Sequence, residues 1–443
     1  MRHKTQKLTG LLLLLGFVVF GQTDEGPWTL QQCIEYAKEN NIQARQSLIN
    51  MSVQEENLKE SKQSILPSVS AGASWVNNWG LFVDPFTNEI DRQLRIQNVN
   101  GSVNASVPLF QGLQNHYSIQ QNKIDYSSAQ LDYEAALNNV GLQVSSAYVA
   151  ILFNMELVRV AENQVNVTQM QVDRIQKEVD AGSRPMGDLY DIEAQLAREE
   201  QSLVAAENNL IASKLQLAQL LMLDDYESFE IETPEMEMKN TVLLSMSPTE
   251  IYQKSLENQP QIESAELNVQ SAEYGVGIAK SAYYPSLRMN GSISTGASDR
   301  IADPFQQQWE ENFSENLVFS LNIPIYSRRQ IKSNVNRSQL NYQNSQLNLK
   351  QEKYNLLQNI QTAYNDAKAA FNKYKADEKT VLSLRESFKY VEERYNVGLI
   401  NAYEYNLSKN QLTAAESEMI RDKFDYIFKL MVLEFYYANE ISL

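Results

Sequence analysis

The chain is short of the residues that cross-link, catalyse or interrupt. It holds one cysteine, Cys33, and two histidines, and glycine (16) and proline (11) are scarce among its 443 residues. A single cysteine cannot form an internal disulfide, and so few histidines and cysteines leave no set at metal-ligand spacing. Beyond the first residues His116 is the only histidine, and no Gly-x-Ser-x-Gly elbow or base partner accompanies the many serines. These absences point away from an enzyme and imply no cofactor and no metal. Past the N-terminus no segment approaches the ~18 consecutive apolar residues of a membrane helix. Positive charge is also in deficit, with a formal net charge of −17, which argues against nucleic acid as a partner.

What is present begins with an N-terminus built for export. Arg2, Lys4 and Lys7 precede an apolar run over residues 11–20 and the small or polar Gly21, Gln22 and Thr23. The run is too short to span a bilayer, so residues 1–21 read as a secretory signal peptide. No cysteine lies near the expected cleavage point, so a lipid anchor there is not indicated. Export without disulfides fits a bacterial envelope.

The remainder is written twice. Val107-Pro108-Leu109-Phe110 aligns without a gap on Ile323-Pro324-Ile325-Tyr326. The same offset carries Ala147-Tyr148 onto Ala363-Tyr364, Gly182 onto Gly398 and Gln195-Leu196 onto Gln411-Leu412. Upstream, at a slightly longer offset, Glu39-Asn40 falls on Glu257-Asn258 and Pro67-Ser68 on Pro285-Ser286. One period this long is a duplication of a whole structural unit, not a short-repeat solenoid. The expected organisation is a first repeat over residues 22–223, an acidic linker or equatorial segment over 224–247, and a second repeat over 248–443.

Scarce glycine and proline leave room for long helices. Between residues 330 and 397 there is neither, and between 113 and 181 only Gly141. In the second copy Leu356, Ile360, Ala363, Ala367, Ala370, Tyr374, Val381, Leu384, Phe388, Val391 and Tyr395 follow steps of four and three, broken only by Asp377. The first copy keeps this frame from Val140 to Val179, with Asn154 and Thr168 as exceptions. A ~3.5-residue period held this long specifies a left-handed coiled coil, and such a helix reaches roughly 100 Å. After Gly182 and Gly398 the pattern resumes, so each copy carries a long helix, a reversal and a returning helix. Residues 29–65 and 249–284 add a further helical stretch apiece.

Between the helical arms lie four alternating segments. Val69, Ala71, Ala73, Trp75, Trp79 and Leu81 stand at odd positions in the first, and Val99, Val103, Ala105, Val107 and Leu109 in the second. Leu287, Met289 and Ile293 follow in the third, and Phe313, Leu317, Phe319, Leu321 and Ile323 in the fourth. Strands of about ten residues, with one apolar face and one of Ser and Asn, match a membrane β-barrel. The smallest closed membrane barrels need about eight strands, so a chain with four must share its barrel. Asp84-Pro85-Phe86 and Asp303-Pro304-Phe305 mark loops at the far end, placed to plug or narrow it. The expected fold class is mainly α with membrane β-strands, internally duplicated.

The linker contains Asp224, Asp225, Glu227, Glu230, Glu232, Glu235 and Glu237 and reads as a solvated spacer, with a belt around the helices as the other reading. Met222, Met236, Met238 and Met246 near it read as packing rather than as a soft-metal path. At the reversals, Asp188 and Asp191 follow Gly182 and Glu404 follows Gly398. Carboxylates near a helix start act as caps or dipole partners. In a symmetric oligomer each also becomes a ring that favours cations in a narrow pore.

Arg394-Tyr395-Asn396-Val397-Gly398-Leu399, followed by Glu404 and Gln411-Leu412, resembles the helix-turn-helix signature of TolC-family outer-membrane efflux proteins. Ala181-Gly182-Ser183 with Asp188, Gln195 and Leu196 repeats that frame, and the similarity spans essentially the whole chain after the signal peptide. The resemblance implies a TolC-like homotrimer whose strands form one outer-membrane barrel continued by an α-helical barrel through the periplasm. It implies an exit duct for efflux, with a periplasmic adaptor and an inner-membrane transporter of the resistance-nodulation-division type as partners. It assigns the pore constriction to Asp188, Asp191, Tyr395 and Glu404, with Tyr395 and Asp188 as one gate pair. The tip turn and adaptor contact fall on Gly182, Ser183, Val397, Gly398 and Leu399. Ile400 stands where the family carries an arginine and Leu407 where it carries a second acidic residue, so fewer polar links close this tip. A type I secretion duct is the nearest alternative. A coiled-coil fibre or adhesin is disfavoured by helices that fold back, and a porin by the helical majority.

Overall fold

The computed structural model describes residues 26–80, 82–83, 90–91, 95–224, 229–234 and 242–441. The expected signal peptide over residues 1–21, Leu81, Asp84-Pro85-Phe86, and the linker residues Asp225, Glu227, Glu235, Met236, Glu237 and Met238 lie outside the described residues.

Each copy opens on a capping box. Thr29 exchanges bonds with Gln32 at the start of α1 (Leu30–Asn40), and Ser247 with Glu250 at the start of α5 (Pro248–Asn258), satisfying two orphan amides each. The helical stretch that follows is not continuous. Asn41 and Gln259 adopt extended backbone and split it, leaving α2 (Ile42–Gln63) and α6 (Pro260–Ser281) beyond the break. Asn41 stabilises its kink by accepting from the Gln43 amide and donating to the Leu220 carbonyl. Pro260 tolerates its own because the first helical turn has no partner for an amide.

Four strands form one antiparallel sheet in the order β1 (Ser68–Asn78), β4 (Ile96–Gln111), β5 (Ser286–Ser298) and β6 (Ser314–Asn322). A two-residue hairpin, β2 (Phe82–Val83) with β3 (Ile90–Asp91), stands apart from it. The register sets odd residues opposite odd ones, as in Ala73, Gly101 and Thr295 across three strands. Val103 likewise meets Ile293, so the apolar residues share one face and Ser and Asn the other, up to a bulge between Pro108 and Phe110. β1 ends before Trp79, followed by Gly80 at φ +118°. Among the described residues β1 and β6 each leave one edge unpaired. Such edges are not tolerated against lipid, which is the physical reason a barrel must close.

The second far-end loop departs from expectation. Its Pro304 precedes a short helix, α7 (Phe305–Glu311), which folds back onto the apolar face. Trp309 stands 3.1 Å from where a Cβ on Gly101 would lie, and its carbonyl accepts from Thr295 Oγ1 at 2.5 Å. Both Gly101 and Thr295 belong to the odd, apolar set. The segment thus covers the odd, apolar face of the sheet and not the face of Ser and Asn.

The long helices α3 (Gln114–Asp180) and α8 (Gln330–Asn396) are 67 residues each, roughly 100 Å at 1.5 Å per residue. They return as α4 (Met186–Leu221) and α9 (Ala402–Ala438). Every buried residue of α8 belongs to the predicted four-three series. Part of α3 is long and apolar enough by composition to cross a membrane. Its Val140, Val144, Ala147, Tyr148 and Ile151 instead pack in the first-copy core with α1 and Leu217 of α4.

The described part of the linker packs on the helices instead of standing in solvent. Phe229 and Ile231 are buried with Cys33 in the first-copy core, and Leu243 is buried in the second. Tyr148 donates to the carbonyls of Glu232 at 2.7 Å and Trp28 at 3.2 Å, and its duplicate Tyr364 donates to Leu244 at 3.0 Å. Each copy therefore ties its belt down with the same tyrosine. Burial pushes the Cys33 thiol up to about 12, which leaves it chemically inert. Met246 packs against the second core, in line with its reading from sequence.

Candidate functional site at the helical tip

Both reversals close by the same backbone device. The Ser183 amide reaches the Glu178 carbonyl and the Gly182 amide the Val179 carbonyl, each at 2.9 Å. Leu399 to Arg394 and Gly398 to Tyr395 repeat this at 2.9 and 3.0 Å. These are Schellman caps, which require a left-handed residue after the helix. Gly182 and Gly398 supply it at φ +72° and +75°.

The tip is packed by aromatic and aliphatic side chains drawn from all four long helices. Ile175, Leu189, Ile192, Tyr395, Ala402 and Tyr405 are buried together, and Tyr395 stacks on Tyr405 with ring centroids 4.6 Å apart. Burial pushes both phenols upward, that of Tyr405 to about 12. Tyr395 is therefore 1% exposed, a core residue at its ring and a polar link at its hydroxyl. The gate pair expected from sequence meets through a third residue. Arg184 stacks over Tyr395 at 4.9 Å, lies 3.2 Å from its hydroxyl and 3.5 Å from Asp188 Oδ2, and pairs with Glu178 at 2.7 Å. Arg184 went unnoticed because its position in a turn gives no periodic signal. It places a guanidinium at this tip, where Ile400 offers none.

The other expected residues stand apart from that link. Asp191 and Glu404 are exposed, as are Val397 and Leu399 at the turn. Glu404 donates its amide to Asn401 Oδ1 at 2.9 Å, so Asn401 is the N-cap and the Glu404 carboxylate is not needed for it. Leu407 is also exposed.

Two exceptions to the apolar periodicity mark polar clusters above the tip. Thr168 is fully buried and bonds both Lys409 and Glu199, which pair with each other at 2.9 Å with side chains 5% and 11% exposed. Gln195 completes the cluster by donating to Glu199 at 2.9 Å. Thr168 lies on α3, Glu199 on α4 and Lys409 on α9, so one buried ion pair locks the two hairpins together.

Asp377, the exception in α8, faces the buried Asp422 of α9, with Lys373, Glu418 and Arg421 around them. Lys373 lies 2.8 Å from Glu418 and 3.0 Å from Asp422, and Arg421 3.7 Å from Asp422. Desolvation first, then the hydrogen bond and charge of Asp422, raise Asp377 to about 6. Asp422 is also disfavoured by burial, but bonds from Asp377 and Lys373 hold it below the ordinary carboxylate range. Between the ordinary carboxylate range and about pH 6, folded Asp377 keeps a proton that the unfolded chain releases, so this helix pair loses stability as the pH rises through that window. Asp422 acts oppositely, its contribution fading only at lower pH. Asp377→Asn, which fixes the neutral form, is expected to raise the melting temperature most at neutral pH, less near pH 5, and little once the pH falls below the ordinary carboxylate range. Equal melting shifts across that range would remove the titration from this pair.

An apolar strand face, sheet edges unpaired among the described residues and long paired helices suit a channel-forming protein that crosses an outer membrane with its strands. The outer membrane efflux protein family matches residues 33–221 and 251–428, and the chain belongs to that family. It is 20% identical over 429 residues to the outer membrane protein TolC of Vibrio cholerae, covering 96% of this chain and 94% of that one. With TolC of Escherichia coli it shares 21% over 435 residues, 94% of this chain and 82% of the relative. Among solved structures, the CmeC outer membrane channel of Campylobacter jejuni matches with a TM-score of 0.78 at 18% identity, over 93% of this chain and 86% of that one. VceC of Vibrio cholerae matches at 0.75 and 14%, over 92% and 96%. At these identities the structures share the fold.

Proposed function

We propose that the chain is the outer-membrane exit duct of a tripartite efflux pump, a passive homotrimeric channel for small molecules delivered by a periplasmic adaptor and an inner-membrane transporter of the resistance-nodulation-division type. The observation that carries this reading is the joining of two helical hairpins, each with one arm of roughly 100 Å, in one packed tip, away from a sheet whose two edges are unpaired among the described residues. Free edges suit barrel closure by neighbouring copies, and antiparallel hairpins suit a tube rather than a fibre. Asp188, Asp191 and Glu404 line the constriction in this reading, and the buried Tyr395 latches it through Arg184 to Asp188. Gly182, Ser183, Val397, Gly398 and Leu399 form the turn that meets the adaptor, with Val397 and Leu399 offering exposed apolar side chains. No catalytic residue or cofactor enters it.

Threefold symmetry turns the exposed Glu404 into a ring of carboxylates, which favours cations in a narrow passage. Single-channel recording of Glu404→Ala is expected to show weaker cation selectivity and weaker block by trivalent cations, with trimer yield unchanged. Unaltered selectivity and block at normal assembly would place the constriction elsewhere.

A further inference from the structure

The apolar face of the sheet carries a feature that the duct does not use. Beneath the Trp309 indole lies a groove of about 410 Å³, floored by Ala71, Ala73 and Gly101 and walled by Val103 and Ile293. That volume lies within the ~300–1,000 Å³ range of small-ligand sites. The floor is low because its side chains stop at Cβ or earlier. Gly101 is held to that size, since an added Cβ would meet the Trp309 ring at 3.1–3.2 Å.

The roof is fixed by more than packing. Gln308 accepts from the Ser298 amide at 2.9 Å and donates to the Asp303 and Ile301 carbonyls at 2.7 and 3.1 Å. Asn312 donates to the Gly296 carbonyl at 2.7 Å, and Phe305 stacks on Trp309 at 5.4 Å. These bonds hold the indole over the strands while Phe305 stays exposed.

The occupant follows from where the groove opens. Strands of a shared barrel meet edge to edge, so a second copy would cover the free edges of β1 and β6 and leave this face bare. Exposed Trp75, Leu317 and Phe319 occupy the same face, which a membrane barrel turns toward hydrocarbon. Thr295, the one polar side chain of the odd set in the lining, already donates to the Trp309 carbonyl, so the mainly apolar groove gives water few polar partners, whereas a hydrocarbon chain fits it. We propose that the groove holds one acyl chain of an outer-leaflet lipid, with Trp309 as its roof and α7 as a lipid-side anchor at the membrane interface. This rests on the assignment of the odd face to the lipid side.

A single-tryptophan variant keeping Trp309, with Trp28, Trp75 and Trp79 changed to Phe, is reconstituted in vesicles of phospholipid brominated on the acyl chains. Trp309 emission is expected to lose most of its intensity, while aqueous iodide quenches it little. Native mass spectrometry after mild delipidation should show retained lipid that Ala73→Phe, by filling the groove, reduces severalfold. A companion protein carrying Leu317→Trp as its sole tryptophan reports the face itself. Quenching of the companion without quenching of Trp309, or lipid retention unchanged by Ala73→Phe, overturns the proposal while the barrel orientation stands. Absence of quenching at both positions overturns the face assignment and the proposal with it.

Discussion

Replacing Lys409 by methionine is expected to destabilise the helices near the tip by about 3–5 kcal/mol, the usual cost of removing one partner of a buried ion pair. The substitution keeps most of the side-chain volume, so the loss is electrostatic rather than a cavity. It leaves the Glu199 carboxylate, 11% exposed, with only Thr168 and Gln195 to bond it. Adding Glu199→Met removes that orphaned charge, and the double variant should recover most of the loss, because well-packed apolar pairs commonly equal buried ionic ones. Hydrogen exchange in α4 and α9 measures the effect where it arises, above the tip. A single variant as protected as the parent, or a double variant no better than the single, would show that the pair is not a lock between the hairpins. The expected functional companion is a leakier channel, since Thr168, Glu199 and Lys409 are contributed by both hairpins.

That cluster also shows what could and could not be read from the sequence. Thr168 and Asp377 appeared as flaws in an otherwise apolar series, and each proved to sit at a polar contact between helices. The flaw is visible in one dimension, whereas its partners, Lys409 and Asp422, lie on a different helix and depend on the tertiary fold. The strands, the long helices and the duplicated reversals were legible because period two, period 3.5 and a glycine at φ near +70° are local requirements. Arg184 and the side of the sheet that α7 covers were not, because a long side chain in a turn and a short helix after a proline are compatible with many placements. The belt was half legible: its acidic residues suggested solvent, while Phe229, Ile231 and Leu243 carried the burial.

Gly112→Ala is expected to cost about 2–5 kcal/mol, combining left-handed strain with overpacking. Gly112 links β4 to α3 at φ +62°, and a Cβ there would lie 2.5 Å from the Ser281 carbonyl oxygen and 2.8 Å from Tyr284 Cβ. Neither neighbour can yield easily, because residues 281–284 carry α6 into β5. The duplicate position tests which factor matters. Arg328 occupies the equivalent turn at φ +47°, next to Arg329 at +68° as Gly112 is next to Leu113 at +70°. The backbone path is therefore shared, but Arg328 is exposed. Arg328→Gly should change stability by no more than about 1 kcal/mol, since relief of left-handed strain is set against a freer unfolded chain. Heat-modifiable migration of the assembled protein in unboiled gels, with melting by circular dichroism, compares the two. If both substitutions prove equally mild, the close approach of α6 to this turn is not what demands glycine. If Gly112→Ala alone prevents assembly, the crowding arises where the second copy packs on the first, so the duplication explains the shared backbone and the packing between copies explains the difference in residue.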